Sequence, residues 1–222
     1  MKIFVFLHIL LLSLLALPVF AQEGQTAMWN FNTGRNLEAQ NRMNDANAYY
    51  DAAIRIATDD ISRGSANQDS YVAITWSLLR QRRYALAISW GERGLTAYAL
   101  EHRLVELMGE AYFYLGDHST SLSFMQRYLH AVPRGGRASV AFFFIGEIYR
   151  FRGHMRHAEL AYTVAVELEP NLELWWYRLA AAREAGGDFP EAIAAYEQVI
   201  RLNPAFRDAA ASLARVRLRL DP

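Results

Sequence analysis

The sequence contains no cysteine, which removes disulfides, thiol nucleophiles and thiolate-bound structural zinc. It is nearly without lysine as well. Lys2 is the single one, and every later cation is arginine, whose planar fork holds carboxylates and stacks on aromatic rings. Net charge is also missing, with 23 basic residues against 23 acidic ones. Neither nucleic acid nor an anionic lipid surface finds here the excess of positive charge that selects it. The chain shows no Ser-His-Asp order, no glycine-rich phosphate cradle and no metal motif, so neither catalytic residues nor a cofactor or metal is assigned. His154 and His157, with His118 at the equivalent turn, lack a third donor and read as solvated turn histidines. What is abundant is apolar: 222 residues, 53% hydrophobic, enough for one domain or one extended array with a sizeable core.

The first residues, "MKIFVFLHILLLSLLALPVFAQEG", combine one cation, an uncharged apolar run, a breaker at Pro18, and Val19 and Ala21 placed like a cleavage site. This predicts a secretory signal peptide over 1–21, a short linker over 22–26, and export to a periplasm or cell envelope without stable membrane insertion afterwards. An uncleaved anchor is the alternative, since Ile3 to Phe20 is nearly long enough to span. No cysteine follows the apolar run, so the protein is not expected to be a lipoprotein. The lack of any Asn-x-Ser/Thr acceptor fits a bacterial exported protein.

The remaining chain repeats itself. In "ASVAFFFIGEIYRFRG" and the residues after it, Gly146, Tyr149, Gly153, Ala158, Tyr162, Ala165 and Pro170 follow in order. The same order recurs as Gly109, Tyr112, Gly116, Ser121, Met125, Tyr128 and Pro133, and again as Ala180, Arg183, Gly187, Ala192, Tyr196, Val199 and Pro204. From Pro170 to Pro204 is a step of 34 residues. Two weaker copies precede these, marked by Gly34, Leu37, Ala46 and Tyr50, and by Tyr71, Ile74, Thr75, Leu78 and Ala87. Small residues at Gly109, Gly146 and Ala180 let two helices approach closely. Gly116-Asp117, Gly153-His154 and Gly187-Asp188 read as turns whose aspartates cap the next helix, and Pro133, Pro170 and Pro204 stop each second helix. Two additions, "TDDISRGSANQ" and "PRGGRA", read as loops. Thr33 and Asn30 are poor core residues for the first copy, and Arg183 stands where an aromatic residue is usual.

This pattern resembles the tetratricopeptide repeat, a helix, a tight turn and a second helix. The resemblance implies an all-α, right-handed superhelical solenoid of helix-turn-helix units over 27–221, with repeats near 27–60, 68–101, 102–135, 139–172 and 173–206 and a C-terminal capping helix over 207–221. Its first helices would line a concave surface. In α-helical projection Phe142, Ile145, Gly146 and Tyr149 form an inward stripe, and Val140, Phe143, Phe144, Glu147, Arg150 and Phe151 a second one facing the groove. Neighbouring units continue it with Trp76 and Arg80, with Arg103, Glu106, Glu110, Phe113 and Tyr114, and with Tyr177 and Arg178. Aromatic rings interleaved with arginines are the composition of an interaction surface. The family's carboxylate clamp is absent, since the matching places hold Phe31, Arg35, Ala73, Arg103 and Leu107. The expected function is therefore an exported scaffold or adaptor that takes a protein or peptide partner into an aromatic groove, in the assembly of an envelope machine such as a secretion, pilus, flagellar or transport complex. The alternative is an accessory protein of a transport system that binds a small apolar ligand.

Overall fold

A computed structural model describes residues 26–220, so the predicted signal peptide and most of the predicted linker lie outside the described residues. Those residues form eleven helices, arranged as five pairs and a last single helix, with no strand among them. The pairs are α1 (Ala27–Ala39) with α2 (Met43–Ser62), α3 (Gln68–Arg80) with α4 (Tyr84–Ala97), α5 (His102–Tyr114) with α6 (His118–Ala131), α7 (Ala138–Phe151) with α8 (Met155–Leu168), and α9 (Glu173–Gly186) with α10 (Phe189–Leu202). α11 (Arg207–Leu220) closes the row. Each helix packs on the next, and α1, α3, α5 and α7 also touch in succession. Helices on the inside of a curved stack lie closer together than those outside, so the odd-numbered helices form the inner wall. The protein is an all-α repeat solenoid. Among the described residues no helix is long and apolar enough to cross a membrane.

Local chemistry explains the helix ends. Thr26 accepts from the amide of Trp29 at 3.1 Å, Asn67 and Ser70 make a reciprocal capping box, and Asp117 accepts from the amide of Thr120 at 3.0 Å. Asp188 does not cap α10; its carboxylate is turned to Arg156 on α8 instead, and Pro190 in the first turn sets the helix start. The three clear turns use Gly116, Gly153 and Gly187 at φ of 85°, 75° and 85°. The two weak copies make the same left-handed turn with Asn41 at φ 58° and Arg82 at φ 61°, which hides the turn from a search for glycine.

Inside the first, third, fourth and fifth pairs a small residue on the first helix receives a large one from the second, whereas in the second pair the small residue is Gly91 on α4 and Met108 of α5 lies over it. Gly34 lies under Tyr50 and Gly146 under Tyr162, so close that an added Cβ would stand 2.6 Å and 2.5 Å from the rings. Tyr50, Tyr162 and Tyr196 are fully enclosed at these places, while Met125 fills the corresponding site over Gly109. The expected loop "TDDISRGSANQ" is partly helical, because α2 runs on to Ser62 and reaches 20 residues where α4 has 14. "PRGGRA" is a loop as expected, folded beneath Tyr128, whose hydroxyl accepts from the Arg137 amide at 3.2 Å. Asn30 is wholly buried in the first pair and donates to the Thr26 carbonyl at 3.0 Å. Arg183 does not loosen the last pair: its guanidinium lies 3.3 Å from Glu159 across to α8.

Candidate partner-binding groove

The inner wall is built from the flanks of α1, α3, α5, α7 and α9, and the closeness of these helices decides which predicted residues remain reachable. Trp76 is half-buried, stacked on Phe31 at 4.5 Å, with the guanidinium groups of Arg35 and Arg137 each 5.4 Å from its ring centre. Arg80 is exposed and donates to Glu38 at 2.9 Å. Tyr114 and Phe151 are half exposed, at 50% and 54%. Phe113 bridges toward Phe151 at 6.0 Å, and Arg150 lies 4.3 Å over the Phe151 ring. These residues form an accessible aromatic and cationic surface.

Of the other predicted residues, Phe144, Glu106, Glu110 and Glu147 are buried between repeats, and for them the groove assignment is corrected, while Phe143, Tyr177, Arg103 and Arg178 are half-buried and already partnered. Phe144 is buried because the rings of Phe113 and Tyr114 close over it edge-on at 4.9 Å and 5.8 Å. Phe143 stacks on Trp175 of α9 at 4.8 Å, and Tyr177 packs on Tyr196 and Phe206 at 5.7 Å and 5.1 Å. Glu147 is buried, accepting from Tyr162 and from Arg150 at 2.8 Å and pairing with Arg178 at 2.9 Å. Glu106 and Glu110, one turn apart on α5, are 1% and 6% exposed and share the guanidinium of Arg137. Arg103 is held at 2.8 Å by Glu101 and at 2.7 Å by Asp69 of the preceding repeat. His118 is not simply solvated, since it stacks between Phe113 at 5.3 Å and Phe151 at 4.9 Å, whereas His154 and His157 are exposed.

A set of ties missed at the sequence level thereby becomes visible along the inner wall. An arginine of each later unit reaches back to a carboxylate of the one before: Arg80 to Glu38, Arg103 to Asp69, Arg137 to Glu106 and Glu110, Arg178 to Glu147, and Arg215 to Glu184. In three of these the buried tyrosine of the second helix donates to the same carboxylate, Tyr50 to Glu38, Tyr162 to Glu147 and Tyr196 to Glu184. Burial and the adjoining carboxylates push these phenols above the ordinary range. Burial works to raise the Glu38 carboxyl, but the hydrogen bonds from Arg80 and Tyr50 outweigh it and hold the group below its ordinary value. The Arg215 fork does the same for Glu184. Glu106 goes the other way, raised by burial and by Glu110 beside it. The signal that could have found the ties is the arginine-only composition; the spacings differ too much between repeats to show them. Among the described residues no three His, Asp or Glu side chains gather into a group able to hold a metal.

Residues 174–206, the last helix pair, match the model of the tetratricopeptide repeat. This is a tetratricopeptide-repeat fold. Its solved likenesses include a thermophilic tetratricopeptide protein of Thermus thermophilus, 19% identical, with 87% of this chain and 100% of that one covered at a TM-score of 0.62. YrrB, described as a tetratricopeptide protein with an unusual peptide-binding site, is 18% identical over 84% of this chain and 91% of its own, at a TM-score of 0.55. The first tetratricopeptide domain of Spaghetti (RPAP3), solved with an HSP90 peptide, is 23% identical over 55% of this chain and 94% of its own, at a TM-score of 0.50. No curated protein matches the chain in sequence. At these identities the likeness is one of fold, and in this tetratricopeptide array the inner wall carries its own residues.

Proposed function

We infer that the chain is an exported adaptor that receives a segment of a protein partner on the inner wall of its tetratricopeptide array. The observation that carries this reading is the exposed row of Tyr114 and Phe151, bordered by Arg80 and Arg150, on a wall whose neighbouring aromatics are already packed. Half-exposed rings with guanidinium groups beside them are costly to leave in water and favourable to cover. Support also comes from the fold neighbours whose descriptions name a peptide or a peptide-binding site. The signal-like residues at the start of the chain support export and a role in an envelope assembly. The cavities along this wall open to solvent and are lined with charged side chains, which favours a peptide over a small apolar ligand. No catalytic step is assigned.

The test is selection from a displayed random-peptide library on the immobilised full chain, repeated with Tyr114→Ser/Phe151→Ser. The expected result is recovery of a defined peptide class by the parent chain and its loss with the variant, whose helix content by circular dichroism is unchanged. Recovery of no class, or of the same class by both proteins, would move the interface off this wall.

A further inference from the structure

Two cavities on the inner wall share a boundary. One, of about 430 Å³, is lined by Arg35, Trp76, Arg80 and Arg137, with Glu38 and Ala39. The other, of about 400 Å³, has an apolar strip of Met43, Leu79, Tyr84 and Tyr114 bordered by the charged side chains of Arg82 and Glu110, and it too includes Glu38 and Arg80. The Glu38–Arg80 ion pair is thus common to both, and a segment long enough to fill both passes over it.

Their chemistries differ. In the first cavity three guanidinium groups face one carboxylate. Arg80 is engaged by Glu38, and Arg137 by Glu106 and Glu110 behind it. Arg35 is exposed and, among the described residues, has no hydrogen-bonded acceptor; its guanidinium lies against Phe31 and Trp76, at 5.9 Å and 5.4 Å, and feels the Glu38 carboxylate one turn along without bonding to it. It therefore presents an unengaged donor fork over an aromatic floor, the geometry that takes a carboxylate through two parallel hydrogen bonds. In the second cavity Tyr84 and Tyr114 stack at 5.0 Å, and Met43, 44% exposed, lines it with them. Such a wall takes an aliphatic or aromatic side chain.

Resting on the adaptor reading, we propose that the partner segment crosses the Glu38–Arg80 pair and places an acidic side chain against Arg35 and an apolar side chain against Tyr84 and Tyr114. The carboxylate proposed is that of a side chain within the segment, the one kind that amidated peptides carry. A terminal carboxylate is not required.

The test uses N-acetylated, C-amidated peptides carrying one Glu and one Leu separated by Gly/Ser spacers of varied length, with Gln and Ser replacements as controls, measured by titration calorimetry on the full chain. At least one spacer is expected to bind, with Glu→Gln in the peptide weakening it about tenfold. Arg35→Gln in the protein is expected to erase the preference for Glu over Gln while keeping that for Leu over Ser, and Tyr114→Ser to do the reverse. Both positions are exposed, and an unchanged circular dichroism melt verifies the fold. Binding without a Glu preference, or a Glu preference that survives Arg35→Gln, overturns the proposal while the adaptor reading stands. The same holds if only library-selected peptides of other composition are retained. If sodium glutarate binds as tightly as the best peptide, the site takes a free carboxylate and the peptide assignment fails. If no peptide of any composition is retained, the adaptor reading fails with it.

Discussion

Two junctions of the inner wall solve the same problem with different charge counts. Between the first and second repeats one guanidinium, Arg80, meets one carboxylate, Glu38, and the phenol of Tyr50 supplies a further donor. Between the third and fourth, Arg137 meets two carboxylates, Glu106 and Glu110, and neither receives a phenol, because Met125 occupies the tyrosine's place over Gly109. The first junction is balanced and partly wet. The second buries one more negative charge than positive, a state that a low-dielectric setting resists unless a proton is taken up. The difference teaches that a repeat fold fixes where a tie must be, while the residue filling the small-to-large contact decides how the tie responds to pH.

The sharpest way to break the comparison is Arg137→Met, which strands both acids. We expect a loss of about 3–5 kcal/mol at neutral pH in urea titrations, shrinking as the pH falls and the acids take protons. Arg80→Met at the wet junction should cost less than about 1 kcal/mol. Between these two lies the close contact itself: Gly146→Ala drives a Cβ into the enclosed Tyr162 ring and should cost about 1–3 kcal/mol, whereas Gly109→Ala meets the flexible end of Met125 and should cost distinctly less by the same titration.

The pH dependence should then separate the two junctions by sign. Glu106 has a folded value raised above its unfolded one, so its favourable contribution is complete below the ordinary carboxylate range and is lost as the pH rises through the folded value. Glu106→Gln should therefore gain on the parent chain between acid and neutral pH. Glu38, held low, contributes above the ordinary range and loses that contribution as the pH falls through its depressed value, so Glu38→Gln should lose ground toward neutral pH. In the opposite direction, Arg82→Gly relieves a left-handed arginine and should add about 1 kcal/mol, readable as a small rise in thermal midpoint.

Much of the fold was legible because helical periodicity, small-to-large spacing and terminal prolines are local signals. Gly146, Tyr162 and Pro170 mark a helix pair wherever the rest of the chain lies. The weak first copies were harder to read for a specific reason: Asn41 and Arg82 adopt a conformation that the residue type does not announce. Part of the inserted segment was misread as loop, since residues 58–62 carry on the helical pattern of α2. The groove was legible as a stripe but not as a surface. A helical projection shows which residues share a side, and cannot show that Phe113 and Tyr114 of one repeat close over Phe144 of the next. Nor could spacing reveal that Arg137, placed in a loop, reaches between two acids on α5 and toward Trp76 on α3.

The backward-reaching arginines give the array a polarity. The carboxylates of these ties take a guanidinium from further along the chain, with Glu147 also held by Arg150 of its own helix, so a junction is finished only once the later unit has arrived. The last junction is completed by Arg215 on α11, which answers Glu184. Loss of that final helix would accordingly be felt first as an orphaned acid in the repeat before it, a disturbance handed one junction inward.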